Sequence, residues 1–283
     1  MTEPLVRHVS DTARWIAAYR AQESARPDAL FHDPFAARFA DERGRAIAKR
    51  MSGPARASIT VRTVLLDEMV LAAVARGADR VLNLAAGFDA RPYRLPLPPT
   101  LRWIEADLPE LLDEKEAALA GERPRCDLAR ERVDLADPAA RDAFLDRALA
   151  GARDALVVTE GLLVYLREED VRGLSAALRA RTGVGSWAFD LLSPQIARYT
   201  SRSAALENAP LRFAPDDGVA WFEREGWRVA EVRDAMREAV RTRRAPLYVR
   251  LFARWLHDDP RKLATAYWYG VVRLSPQGAD QQE

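Results

Sequence analysis

The sequence predicts an α/β fold: a mostly parallel sheet of seven strands with helices on both faces, an N-terminal helical lid, and an insertion after the fifth strand. Two observations predict it. From Arg80 onward, short apolar runs alternate with helix-length amphipathic segments, the pattern that parallel β-α-β crossovers leave in a sequence. Before residue 77 the apolar spacing is helical throughout.

Taken in order, Asp11 is placed to cap a first helix whose Trp15, Ile16 and Tyr19 form an apolar stripe. The chain breaks at Arg26-Pro27-Asp28, and a second helix begins near Asp33-Pro34-Phe35 with proline in its first turn. Ser58 to Arg76 makes a third, with Val61, Leu65, Met69 and Val74 on its apolar face. Arg80 to Leu84 is the first strand and ends in a turn of small residues. Leu101 to Glu105 is the second strand, Pro109 to Ala120 a helix, Arg132-Val133-Asp134 a short third strand, and Pro138 to Leu149 a helix. Ala155 to Thr159, the helix Glu168 to Arg181 and Ser186 to Leu191 continue the alternation. A polar loop-and-helix insertion then occupies 193–218. Val219 to Glu225 resumes as helix and Trp227 to Arg233 as strand, and Tyr267 to Leu274 closes the sheet. Residues 1–283 read as one domain, with 1–76 as the lid region and 77–283 as the core.

Composition excludes more than it assigns. The formal net charge is +1 over 283 residues, so bulk electrostatics point to no polyanionic partner. Arg241 to Arg244 reads as a solvated helix end, and a nucleic-acid partner is not expected. No apolar run approaches the ~18 residues of a membrane span, and Met1 to Ser10 lacks an apolar secretory core. A cytoplasmic location without membrane association is the expectation. The single cysteine, Cys126, can form no intramolecular disulfide and builds no zinc cluster, so no metal is expected.

Ligands of open α/β sheets bind at the carboxyl ends of the strands, where strand order reverses. The first strand ends in Leu84-Ala85-Ala86-Gly87-Phe88-Asp89, small residues that let the backbone approach a ligand. It is neither a G-x-G-x-x-G nor a Walker motif, and an ordinary tight turn has the same composition. The second strand ends in Glu105-Ala106-Asp107, an acid placed to accept hydrogen bonds from ribose hydroxyls or to cap the next helix. Asp134-Leu135 and Thr159-Glu160-Gly161 follow later strands. Four strand ends with small or acidic residues argue for one ligand site rather than four separate caps.

Asn83-Leu84-Ala85-Ala86-Gly87-Phe88-Asp89-Ala90-Arg91-Pro92-Tyr93-Arg94-Leu95 resembles the glycine-rich motif of the leucine carboxyl methyltransferase family, which includes bacterial polyketide O-methyltransferases. Glu105 to Pro109, Val133-Asp134-Leu135, Glu160 to Leu166, Asp33-Pro34-Phe35 and Val61-Arg62-Thr63 match its other motifs in order and spacing. The resemblance runs from about Asp11 to Leu274. It implies a Rossmann-like fold, S-adenosyl-L-methionine as cofactor, and a site assigned residue by residue. Arg62, with Arg20 from the lid, is implied to meet the methionyl carboxylate. Ala85 and Gly87 are implied to line the amino-acid part, Asp107 to hold the ribose, Asp134 and Leu135 to flank adenine, and Glu160 to meet the methionyl ammonium. Ala85 stands where many relatives have glycine, a change that a negative φ would accommodate.

The expected activity is methyl transfer to a carboxylate or hydroxyl of a small-molecule acceptor. An ionised carboxylate needs no base, in keeping with His8, His32 and His257 lying away from strand ends. No catalytic residue is assigned. Trp15 and Tyr19 from the lid, with Arg198 and Tyr199 from the insertion, are the candidate acceptor-binding residues; helix packing is the alternative for each. Two other activities share the fold: a non-catalytic S-adenosylmethionine-binding protein and an NAD(P)-dependent oxidoreductase. The chain is expected to be a monomer or homodimer, with a lid that opens for ligand exchange.

Overall fold

The computed structural model describes residues 10–50, 53–201, 209–251 and 259–277. Four helices precede the sheet: α1 (Ser10–Ser24), α2 (Ala36–Phe39), α3 (Glu42–Arg50) and α4 (Pro54–Ala75). The first half of the sheet follows as β1 (Arg80–Leu84), α5 (Arg91–Arg94), β2 (Arg102–Asp107), α6 (Pro109–Ala118), β3 (Asp127–Arg132) and α7 (Pro138–Leu149). Next come β4 (Ala155–Thr159), a 3-10 turn (Leu163–Tyr165), α8 (Glu168–Arg179), β5 (Val184–Leu192) and α9 (Pro194–Ser201). The chain then forms α10 (Val219–Arg224), β6 (Trp227–Asp234), α11 (Ala235–Arg241), α12 (Leu247–Leu251) and β7 (Tyr269–Pro276).

The seven strands lie in the order β3-β2-β1-β4-β5-β7-β6. β1 to β5 pair in parallel, whereas β7 is antiparallel to both β5 and β6. Side chains of successive residues leave a strand on opposite faces, and the core divides accordingly. Leu82, Leu84, Ala155 and Val157 pack with α7, α8 and α10 in one cluster. Val81, Leu156 and Val158 pack with α4 and α11 in another. Both faces are covered, as a parallel sheet requires. By its packing α4 therefore belongs with the sheet, and α1 to α3 form a third cluster over the loop after β1.

Two expected elements change. The third strand is Asp127–Arg132, not Arg132-Val133-Asp134. It is an edge strand with a charged, half-exposed sequence, which an apolar pattern does not reveal, so Asp134 and Leu135 lie in the loop beyond it. The second helical stretch is split into α2 and α3, and Pro34 precedes helix α2 instead of entering it. Asp33 sets that start, its Oδ1 accepting from the N–H groups of Phe35 (3.1 Å) and Ala36 (3.0 Å). The side chain of Asp11, expected as a cap, lies outside the described residues.

Candidate active site

Strand order reverses between β1 and β4, and a cavity of about 600 Å³ opens at their carboxyl ends. Arg20, Arg62, Ala85, Gly87, Asp107, Asp134, Leu135 and Glu160 all line it. The sequence-assigned residues thus meet in one place, although they come from α1, α4 and four strand-end segments. Thr12, Ala13 and Ile16 of α1 add a wall, and Leu162, Tyr165 and Leu166 line it after β4.

The floor is the turn after β1. Ala85 has φ +55° and Gly87 has φ +45°, so the alanine holds a left-handed conformation that costs an L-residue about 1–2 kcal/mol. The accommodation by negative φ expected from the sequence does not occur. Ala85→Gly is expected to raise stability by about 0.5–1 kcal/mol, read by urea denaturation; a loss of stability would show that the methyl packing outweighs the backbone strain.

Asp107 ends β2, and its two oxygens hold the turn. Oδ2 accepts from the Gly87 N–H (2.6 Å) and Oδ1 from the Leu108 N–H (2.8 Å). The N-cap of α6 is Leu108, with no side-chain cap, so Asp107 ties the ends of β1 and β2 together instead of capping the helix. Each oxygen keeps a lone pair for a ligand. Burial raises the Asp107 carboxyl above its ordinary value, partly offset by the two N–H donors. Its neighbour Glu105 is fully buried and points elsewhere, bonded to Lys115 Nζ (2.8 Å) and Arg130 Nε (2.8 Å).

Glu160 follows β4 between two arginines, its Oε1 accepting from Arg62 Nε (2.8 Å) and its Oε2 from Arg91 Nη1 (2.7 Å). Burial opposes ionisation, but the Arg91 and Arg62 guanidinium groups outweigh it and hold the carboxyl below its usual range. Arg91 also donates to Asp67 Oδ1 (2.6 Å) and Asp89 Oδ2 (2.8 Å). Arg62 donates through Nη1 to Asp190 Oδ2 and Tyr269 Oη, both at 3.0 Å. Gly161, with φ +67°, lets the backbone turn directly beneath this guanidinium.

Arg20 donates through Nε to Asp33 Oδ2 (2.9 Å) and through Nη2 to the Phe88 carbonyl (2.5 Å), binding α1 to the turn after β1. Tyr165 is hydrogen-bonded to Thr12 from the same helix, and burial raises its phenol above the ordinary value. Neither has a histidine beside it in the cavity wall, where none occurs among the described residues. No cluster of potential metal ligands occurs among the described residues, and no described helix is long and apolar enough to cross a membrane.

The four acceptor-binding assignments fall outside the cavity. Trp15 and Tyr19 are buried against Phe39, Ile47 and Ala48, and the Tyr19 hydroxyl donates to the Ala48 carbonyl at 3.3 Å. The reason is helical geometry: Ile16 and Arg20 face the cavity, and the residue before each is turned about 100° from it. Arg198 and Tyr199 lie on the solvent side of α9, Tyr199 being 70% exposed. Sequence reasoning in turn missed Arg91, Asp190 and Tyr269. Asp190 carried a signal, an acid inside the apolar run Trp187 to Leu192, which demands a buried partner.

The sequence profile of the leucine carboxyl methyltransferase family matches residues 13–179. A Streptomyces coelicolor protein, described as a candidate S-adenosyl-L-methionine-dependent methyltransferase, is 34% identical over 236 residues, covering 76% of this chain and 82% of its own. A Frankia alni protein of the same description is 33% identical over 238 residues, covering 76% of this chain and 81% of its own. Among solved structures, a DUF574 family protein of Streptomyces avermitilis superposes with a TM-score of 0.58 at 15% identity, over 94% of this chain and 97% of that one. A candidate methyltransferase of Thermobifida fusca gives 0.57 at 18% identity, over 93% and 94%. At these identities the structures speak for the fold alone.

Proposed function

This chain belongs to the leucine carboxyl methyltransferase family, and on that footing we propose that it is an S-adenosyl-L-methionine-dependent O-methyltransferase acting on a small-molecule acceptor. The observation that supports this reading is the convergence of all eight cofactor-assigned residues on one cavity. Their chemistry fits the cofactor. Asp107 offers free lone pairs to two ribose hydroxyls, ionised Glu160 suits an ammonium, and Arg62 and Arg20 suit a carboxylate. Asp134 and Leu135 provide a hydrogen-bond acceptor and an apolar wall for adenine. A cavity of about 600 Å³ is in the range that encloses a ligand of this size.

Bound S-adenosyl-L-methionine supplies an electrophilic methyl on a sulfonium. The protein's part is to orient and to exclude water. Helix α1 covers the cavity with Thr12, Ala13 and Ile16. Glu160 is engaged by two guanidinium groups, and Tyr165 keeps its proton at neutral pH because burial raises it. Neither is suited to remove a proton from an acceptor. With these two unsuited, we favour a nucleophile that arrives ionised, a carboxylate, over an alcohol that would have to draw its base from the other acids of the wall, Asp89, Glu169 or Asp170. We place the acceptor among small secondary metabolites and the protein in the cytoplasm, as a monomer or homodimer.

Thermal unfolding with S-adenosyl-L-methionine and, separately, with NAD tests the cofactor. At a hundredfold excess over Kd the true ligand stabilises by about 2.7 kcal/mol, a rise of about 5–10 °C for a chain of this size. The rise is expected with S-adenosyl-L-methionine only. A rise with NAD and none with S-adenosyl-L-methionine would overturn the assignment.

A further inference from the structure

We infer that Asp190 and Tyr269 are positioning residues for the cofactor, aiming Arg62 at the methionyl carboxylate while touching no ligand themselves. The inference rests on the cofactor reading above. Neither residue lines the cavity, whereas Arg62 does. Asp190 sits near the end of β5, its side chain 3% exposed. It accepts three hydrogen bonds: Oδ1 from the Gly161 N–H (2.6 Å), and Oδ2 from Arg62 Nη1 (3.0 Å) and the Tyr269 hydroxyl (3.0 Å). Tyr269 opens β7, level with Leu192 of β5. Its hydroxyl closes a triangle, donating to Asp190 and accepting from Arg62 Nη1.

Three features make this more than charge neutralisation. Arg62 is tied at Nε and twice at Nη1, while Nη2 makes no hydrogen bond among the described residues. The guanidinium plane is thus locked with one nitrogen left for a ligand. Second, Asp190 also holds the peptide of Gly161, next to Glu160, so one carboxylate sets both the cation and the anion of the amino-acid subsite. Third, the Tyr269 ring is buried in an apolar cluster, where phenylalanine would pack as well. Its hydroxyl serves only the Arg62–Asp190 pair among the described residues. A guanidinium oriented before the ligand arrives has less rotational freedom left to lose on binding.

The test compares two ligands in calorimetry. S-adenosylhomocysteine carries the amino-acid carboxylate; 5′-methylthioadenosine has the same nucleoside and sulfur without the amino-acid group. Tyr269→Phe is expected to weaken S-adenosylhomocysteine about tenfold and Asp190→Asn about a hundredfold, with methylthioadenosine changed less than about twofold in both. Binding of methylthioadenosine also reports that each variant is folded. Equal weakening of the two ligands would reveal a merely structural role and overturn the inference, as would no weakening of either in the folded variants. Failure of the unsubstituted protein to bind S-adenosylhomocysteine would instead remove the cofactor reading beneath it. If Asp190→Asn does not fold, Tyr269→Phe alone decides.

Discussion

Replacing Arg91 by methionine is expected to destabilise the fold by about 3–5 kcal/mol, the cost of leaving buried charges without their partner. Arg91 is 2% exposed and stands among Asp67, Asp89 and Glu160, all within 2.8 Å. Neighbours cover part of the loss: Arg94 still pairs with Asp67, Arg62 with Glu160, and the Asn83 amide with Asp89. None of them bridges the three acids as Arg91 does. For a protein of this length the midpoint would fall by about 10 °C, visible in a thermal melt. Arg91→Lys, which keeps the charge but not the planar fork, is expected to fall between. The pH dependence has a definite sign. Burial opposes ionisation of Asp89 and Glu160, but Arg91 and its neighbours hold both below their ordinary values of 3.8 and 4.5. Their stabilising contribution is present above those values and is lost as pH falls through the lowered ones. The gap between wild type and Arg91→Met should narrow on acidification. A gap below 1 kcal/mol at pH 7 would show that the acids relax into water.

Asp107→Ala is expected to lower S-adenosyl-L-methionine affinity by about a hundredfold, the size of two hydrogen bonds to an ionised acceptor. The same side chain holds the Gly87 and Leu108 N–H groups, so the loss combines the ribose contacts with a loosened turn. Calorimetry at two pH values separates them. Burial raises the Asp107 carboxyl above 3.8, so it takes up a proton at a higher pH than free aspartate. Wild-type affinity should decline as pH falls toward that raised value, and Asp107→Ala should lack this component. A raised carboxylate also subtracts stability as pH climbs past its ordinary value. Its presence at the end of β2 is thus a local cost, consistent with service to a ligand. Unchanged affinity in Asp107→Ala would remove the ribose assignment.

How much of this was legible in the sequence depended on what each residue faces. β1, β4 and α7 match their expected bounds. β4 is apolar up to its final threonine and β1 is interrupted only by Asn83 after Arg80, while α7 opens with Asp137 and Pro138, with Asp137 accepting from the Ala139 N–H. β3 was misplaced because an edge strand reading Asp-Leu-Ala-Arg-Glu-Arg has no buried stripe. The residues assigned to the cofactor meet in one cavity because strand ends in a parallel sheet converge by topology alone. Which residues of α1 face that cavity was not legible, since it depends on the rotation of the helix, where a step of one residue separates Ile16 in the cavity from Trp15 in the core. Arg91 lay in plain view within the first motif but had no assigned partner. Its acids Asp67 and Glu160 are 24 and 69 residues away, distances that no local spacing encodes.

The antiparallel placement of β7 has a consequence for the order of assembly. Because that strand runs against its neighbours, its first residue, Tyr269, arrives beside the carboxyl ends where the cavity opens. Arg62 and Tyr269 are 207 residues apart, so a contact just behind the cavity wall is among the most non-local that the described residues make, the kind that closes late in folding. During synthesis, all eight cavity residues assigned to the cofactor could be in place while Arg62 still lacked one of its three partners. A nascent chain halted before Tyr269 would still pair Arg62 with Glu160 and Asp190, and β7 then adds the hydroxyl that closes the triangle around Nη1.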